Sequence, residues 1–494
     1  MTAKTDAMNR WALPDLVADL LTRGGDARIV VDPITGLNQY HASPRPSQSI
    51  AYASSTANDI SGPAFDHVCA LVADRGIGEA LAASDYADAL DRLRRKIRAS
   101  YGLGDDVEIV FSPSGTDLEY VGLALCKGKS PHGIRNILLG ADEVGSGCIF
   151  SARGQYFAAE TALGTQVEKG QPIGGKLPET VELGNVPVRD EQGRAFSGVE
   201  ITERIRALAA LSAADGRHTL VHVVHGSKTG LVLPSFEHIA ALQKDHAGRI
   251  DFIVDACQAR ITSHAIADYL ERGCTVLVTG SKFMGGPPFS GFALVPRHKM
   301  VAAAPLPTGF RSIFRRAEWP EGWPGADILP REANPGLLLR LEASIFELVR
   351  FQALPLDRVS RVILAFHAAV RNAFVETLGA RRMAPYAPGE RAEGDAHPIE
   401  MRTLSTLDIS RLPGTPDFER SQAIHKALVG EGVRLGQPVK AVRLPDGRWG
   451  GTLRVGLSMP QVTAFDRLDD AALAARLASD MDVIVAALQR VMRQ

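Results

Sequence analysis

The sequence predicts an α/β protein: a large domain on a mostly parallel sheet of about seven strands, followed by a smaller α+β domain. Three observations carry this. Apolar strand-like runs alternate with helix-length amphipathic segments between residues 107 and 295. The chain has 494 residues, more than one ordinary core holds. Strands and helices mix again after residue 398, behind two long helical segments. The expected division is an N-terminal arm over 1–60 packed on the small domain, a large domain over 61–335, and a small domain over 336–494.

With 45% hydrophobic and 22% charged residues, the chain has a globular balance. A formal net charge of −1 offers nothing to attract nucleic acid or an anionic membrane. No apolar run approaches the roughly 20 residues that span a bilayer. The opening MTAKTDAMNRWALPDL lacks the basic-then-apolar order of a signal peptide. Cys69, Cys126, Cys148, Cys257 and Cys274 form no CxxC pair. That points to free thiols in a reducing, cytoplasmic setting, and no metal is implied.

In chain order, Asp15 to Leu21 reads as a short helix and the polar stretch after it as an arm anchored by Tyr40, Ile50 and Tyr52. Asp85 to Ile97 is a helix with arginines opposite its apolar face. Val107 to Phe111 is a strand, Ser112 to Gly115 a small-residue turn, and Thr116 to Cys126 a helix whose Thr116 and Glu119 fit a capping box. A small-residue turn entering a helix is an ordinary βα loop or an anion cradle of backbone N–H groups. Ile134 to Leu139 is the next strand. Residues 152–200, rich in Gly, Pro and charge, read as an insertion or flap, with VPVRDEQGRAF as a surface hairpin. Ile201 to Ala214 is a helix and Thr219 to Val224 a buried strand. Gly336 to Phe351 and Val359 to Leu378 are long helices; Gly379 to Ala396 is a polar loop and Pro398 to Asp408 a strand. Phe418 to Val429 is a helix, Thr452 to Leu457 a strand, and Ala471 to Val491 a final helix.

The stretch from Ile250 to Pro296 organises the rest. It reads strand, helix, strand, short turn, strand. Asp255 ends the apolar run Phe252-Ile253-Val254, and Lys282 follows Val276-Leu277-Val278. Residues at neighbouring strand ends face one crevice in an open α/β sheet. A lysine amine and a carboxylate placed there are what pyridoxal 5'-phosphate (PLP) chemistry needs, one to carry the cofactor as a Schiff base and one to keep its ring nitrogen protonated. The strand Phe292 to Val295 follows through too short a turn for a crossover, so it should pair antiparallel or sit at an edge.

Ordered together, these pieces resemble the fold type I PLP-dependent enzymes, in particular the class V aminotransferase and cysteine desulfurase family. Asp255-Ala-Cys-Gln258 resembles that family's D-x-x-Q/H element, Thr279-Gly-Ser-Lys282 its S-x-H-K element, and Ser114-Gly115-Thr116 its phosphate turn. Leu453-Arg454-Val455-Gly456-Leu457-Ser458 resembles its terminal strand, whose arginine clamps a substrate carboxylate. The resemblance implies catalytic roles for Lys282 and Asp255 and a ring contact from Gln258. It implies a packing role for Cys257 beneath the ring, against a rival reading as a reactive thiol. It also implies a phosphate cradle of Ser114, Gly115, Thr116, Thr279 and Ser281. Arg454 would hold the substrate, against a plain reading as a surface arginine.

Departures from that pattern fall where the reaction is chosen. The residue over the second ring face falls at Glu143 or Val144, unless Phe150 or Tyr156 reaches in. Ser281 stands before the lysine in place of histidine, and Ser227 where an asparagine is expected. Asn334-Pro335-Gly336 lies where a neighbouring subunit's phosphate loop would. The resemblance further implies a homodimer and an amino-acid substrate, most simply for an aminotransferase. A lyase acting by β/γ-elimination or replacement, or by C–C cleavage, is the alternative. Glu143, His225, Lys228 and Tyr156 are then possible helpers, with His225 near substrate, each also readable as structural. The lack of any cysteine after Cys274 argues against a classical desulfurase. A dinucleotide dehydrogenase would need a G-x-G-x-x-G that the first strand lacks, and a degenerate, non-catalytic scaffold would not need both Asp255 and Lys282.

Overall fold

The computed structural model describes residues 13–493 apart from 79, 142, 146, 175–179, 387–401 and 415. In chain order the strands are β1 (Ile50–Tyr52), β2 (Val107–Ser112), β3 (Ile134–Leu139), β4 (Val181–Val186), β5 (His218–His225), β6 (Val232–Leu233) and β7 (Ile250–Ala256). They continue as β8 (Thr275–Thr279), β9 (Gly291–Pro296), β10 (Arg381–Arg382), β11 (Leu404–Asp408), β12 (Val433–Leu435) and β13 (Thr452–Gly456).

The main sheet runs β2-β9-β8-β7-β5-β3-β4, with β6 paired to β5. Neighbours β8-β7-β5-β3-β4 are parallel, and β9 is antiparallel to both β8 and β2. The last strand therefore takes the first of its two expected places, inside the sheet, while β2 holds the edge. Strands β2, β3, β5, β8 and β9 are buried along their whole length. Helices cover both faces, so nothing favours alternation, and the sequence shows continuous apolar runs.

Two strands of the main sheet were not legible. β6 has two residues. β4 lies within the expected insertion, yet pairs with β3 along six residues. As a half-exposed edge strand, VELGNV needs no apolar run, so pairing rather than burial defines it. The other described residues of 152–197 fold as small turns, including the expected hairpin, bridged between Arg189 and Ala195.

The arm runs along both halves of the molecule. β1 pairs in parallel with β12. Tyr52 donates to Asp480 and stacks on Phe366. Arg340, fully buried, donates to the carbonyls of Leu21, Arg23 and Gly24. A three-stranded antiparallel sheet, β10-β11-β13, forms near the C-terminus, with helix Phe418–Gly430 against β13 and the turn Arg371–Thr377 against β10. The second long helix ends at Val370 and continues as a π-helical turn to Thr377. Most of the polar loop expected over Gly379 to Ala396, and the start of the strand expected from Pro398, lie outside the described residues.

Candidate active site

The carboxyl ends of the parallel strands open on a cavity of about 400 Å³. Its lining includes every residue singled out for cofactor or substrate except His225. On one side β7 delivers Asp255, and the turn after it delivers Cys257 and Gln258. On the other, the turn after β8 delivers Thr279, Ser281 and Lys282. Asp255 Oδ1 accepts from the Cys257 N–H at 2.9 Å, which ties the strand end to the following turn. The Lys282 turn is held from behind. Asn58 of the arm donates to the carbonyls of Ser281 (3.0 Å) and Lys282 (2.6 Å). Gly280 and Gly286 let it lie on the helix at Ser344, where an added Cβ would come within 2.3 and 1.9 Å of the Ser344 hydroxyl.

Ser114, Gly115 and Thr116, the expected cradle, line the cavity, but the turn is not built through the expected cap. The helix starts at Glu119 with Leu118 as N-cap and no side-chain cap bond. Ser114 takes the capping role instead: its hydroxyl accepts from the Asp117 N–H and donates to the Asp117 carboxyl. The Ser114 hydroxyl is thus spent locally, and what the turn offers an anion is backbone N–H. Burial raises the Asp117 pKa to about 7. At Gly115 a Cβ would sit 2.7 Å from the Thr279 methyl, so only glycine lets the two halves of the cradle meet.

Glu119, meant for the capping box, is instead buried 3.2 Å from His222 Nδ1. Burial, and then the charge of Asp255, raise its pKa. Burial lowers that of His222 to about 3. The thiols of Cys148 and Cys257, both buried, are pushed well above their usual range, first by burial, so neither is a reactive thiolate.

Arg454 stands on β13, fully desolvated. Its guanidinium donates to the carbonyls of Gln437, Ser55 and Lys228 and to the Thr56 hydroxyl. Among the described residues no carboxylate lies within ion-pair distance of it. Burial lowers its pKa to about 10, with Glu143 opposing. A buried arginine facing a cavity with no acid beside it is built to receive an anion. The reading as a surface arginine is overturned.

Val144 lines the cavity, as one branch of the expectation had it. Phe150 and Tyr156 do not: the Lys169 ammonium sits over the Phe150 ring, and the Tyr156 hydroxyl bonds Ser312. Glu143 is consumed by the 227–229 turn, accepting from Ser227 (2.7 Å) and from both N–H and hydroxyl of Thr229, which removes it as a free acid or base. His225 is turned away from the cavity. Its Nδ1 bonds the Tyr269 hydroxyl at 3.1 Å, on the opposite face of the sheet from Val224. Within the chain Asn334 caps the helix after it, at Leu337, and donates to Gly24 of the arm.

Residues without a sequence signal complete the wall. Arg28 comes from the arm, paired with Asp26 at 2.6 Å and sandwiched 4.9 Å from the rings of Phe157 and Phe289. Ser55, Thr56 and Gln437 also line it, as do Tyr40, expected only as an anchor of the arm, and Lys228, one of the possible helpers. Burial, then the charge of Arg454, lower the Lys228 pKa. The arm's path to the cavity could not be read from its own composition, because it is set by contacts far along the chain.

No protein-family model and no curated protein matches the chain. Solved structures do. A C-DES variant with glycine covalently linked to its PLP cofactor superposes with TM-score 0.55 at 16% identity, over 88% of this chain and 97% of its own. A NifS-like protein gives 0.54 at 13%, over 88% and 99%. The ureidoglycine–glyoxylate aminotransferase of Bacillus subtilis gives 0.53 at 13%, over 90% and 93%. At such identities the likeness speaks for architecture, and over nearly its whole length this chain has the fold type I architecture of PLP-dependent enzymes.

Proposed function

We propose that the protein is a PLP-dependent enzyme acting on an amino acid, an aminotransferase in the first instance. The observation that carries this is that Asp255 and Lys282 line one cavity together with a buried Arg454 that, among the described residues, has no carboxylate within ion-pair distance. The donor set fits the cofactor: backbone N–H groups at Ser114 to Thr116 and the Thr279 and Ser281 turn for a phosphate, a carboxylate for a ring nitrogen, an amide for a ring oxygen. When bound, PLP supplies an electron-withdrawing ring that stabilises negative charge at the substrate Cα. Lys282 would anchor it covalently and then move a proton at that carbon. Asp255 would hold the proton on the ring nitrogen. Val144 would pack over the ring and Cys257 beneath it, excluding water. Ser227 would stand near the ring oxygen, and Arg454 would fix the α-carboxylate with paired N–H donors.

A lyase on the same scaffold is the second reading; among the structural neighbours, C-DES is a cystine C–S lyase. Turnover that requires a keto-acid acceptor selects the first; ammonia released without one selects the second. We further infer a homodimer, checked by light scattering, and a reducing, cytoplasmic setting, which the five free cysteines fit. Among the described residues no helix is long and apolar enough to cross a membrane.

Purified protein should be yellow, with about one PLP per chain. Lys282→Ala should abolish covalent attachment and leave the fold intact by circular dichroism. A wild type that takes up no PLP overturns the reading.

A further inference from the structure

Two residues beyond Gln258 lies Arg260, fully buried and outside the cavity lining. Each of its N–H groups meets an acceptor. Nε donates to the Thr403 hydroxyl (2.9 Å). One terminal nitrogen donates to Gln258 Oε1 (2.6 Å) and the Gln258 carbonyl (3.4 Å), the other to Ser54 Oγ (2.7 Å) and the Leu457 carbonyl (3.4 Å). The guanidinium also lies 5.3 Å from the ring of Phe283, the residue after Lys282. None of these acceptors is a carboxylate. A buried cation without a counter-ion is costly, and an apolar side chain of similar volume would be the cheaper filling. Ala259, between the two residues, has φ of 56°. That left-handed conformation is unfavourable for a non-glycine residue. It reverses the chain between Gln258 and Arg260.

We propose that Arg260 is a positioning residue that locks the Gln258 amide with its oxygen turned inward and its nitrogen presented as donor to the cavity. Chemistry fixes the orientation of this amide. Guanidinium has donors only, so the atom of Gln258 against it must be the oxygen. One amide N–H goes to the Ser55 carbonyl at 3.2 Å. The other is what the side chain has left for a ligand. The same Ser55 carbonyl accepts from Arg454 at 3.4 Å, so the ring contact and the carboxylate clamp share one peptide of the arm. Arg260 thereby fixes the polarity of a site residue it does not join in the cavity.

The proposal rests on the PLP reading of the site for one arm of its test and is independent of it for the other. In PLP-loaded protein, Arg260→Met should shift the pH midpoint of the visible band by about one unit and weaken PLP retention about tenfold, the worth of one oriented hydrogen bond. Gln258→Met should do the same, the double variant should add nothing, and Arg260→Lys should recover part of the shift. A folded Arg260→Met with the wild-type midpoint, or additive effects in the double variant, overturns the proposal. The second arm uses cofactor-free protein, so a failure to take up PLP does not touch it, and it does not require Arg260 to be removed. Gln258→Glu places a carboxylate against a guanidinium that lacks one. It should melt at or above the wild-type temperature; a fall of about 10 °C, as for an unpaired buried charge, overturns the proposal.

Discussion

Asp251 and Asp255 sit at opposite ends of strand β7 and on the same face of it, four residues apart, and the protein treats them in opposite ways. Asp251 is enclosed by cations. Lys129 and Lys299 each approach it to 2.5 Å, and His218 Nε2 lies at 2.6 Å. Cys126, His218 and Asp251 are metal-ligand types in one place, but the ammonium groups already occupy the carboxylate. Asp255 faces a cavity, beside a second buried carboxyl, Glu119, whose ionisation it discourages. One end of the strand is a finished clasp between β5, β7, the loop before β3 and the short helix after β9. The other is held ready for a ligand. The residue type is the same; what differs is how many opposite charges the surrounding elements bring.

The largest effect that would test this contrast is on turnover. Asp255→Ala should lower it about 10³-fold, the scale seen when one aligned electrostatic partner is lost, while cofactor-free protein melts no lower than wild type. Removing one of two neighbouring carboxyls relieves Glu119 rather than stranding a cation. If the variant instead melts much lower, the cavity end is as structural as the other. Asp251→Ala should do the reverse. It strands two lysines and should cost about 3–5 kcal/mol in denaturant unfolding, with PLP uptake per folded chain unchanged. Uptake lost in step with Asp255→Ala would mean that the two ends are not separable.

The sequence showed the cavity end far better than the clasp. Asp255 and Lys282 stand out because each ends an apolar run, and strand ends in an open parallel sheet converge by topology. β3 matches its expected bounds for the same reason: full burial makes a strand a bare apolar run. Asp251 lies one residue into such a run and looks like a solvated strand start. Its partners come from positions 129, 218 and 299, and only the folded sheet brings them together. Arg260 and Arg28 were hidden likewise, since an arginine's burial leaves no local pattern. Glu119 misled because the S/T-x-x-E spacing was present while the helix began two residues later than that pattern requires. His225 misled because its neighbours in sequence face the site, and a strand's alternation turns it the other way.

The smallest effect is on pH dependence, and there the two ends should pull in opposite directions. At Asp251 burial pushes the carboxyl up, but the His218 hydrogen bond and the charges of Lys299 and Lys129 overcome it and hold it well below the ordinary range. Its contribution is complete above the unfolded value of 3.8 and drains as pH falls further, because the unfolded chain takes up the proton first. At the cavity end Asp117 is raised to about 7 by burial. Its contribution is complete below 3.8 and is lost as pH rises through 7, because the unfolded chain releases the proton first. Each group changes stability by at most about 1.4 kcal/mol per pH unit within its window. Denaturant unfolding of cofactor-free protein, read as variant minus wild type, isolates each one. Asp251→Asn should flatten the limb below about pH 4, and Asp117→Asn the limb between about 4 and 7. Equal slopes in Asp117→Asn and wild type across that interval would mean that Asp117 is ionised in the fold, with Arg28 rather than a shared proton holding it beside the cradle.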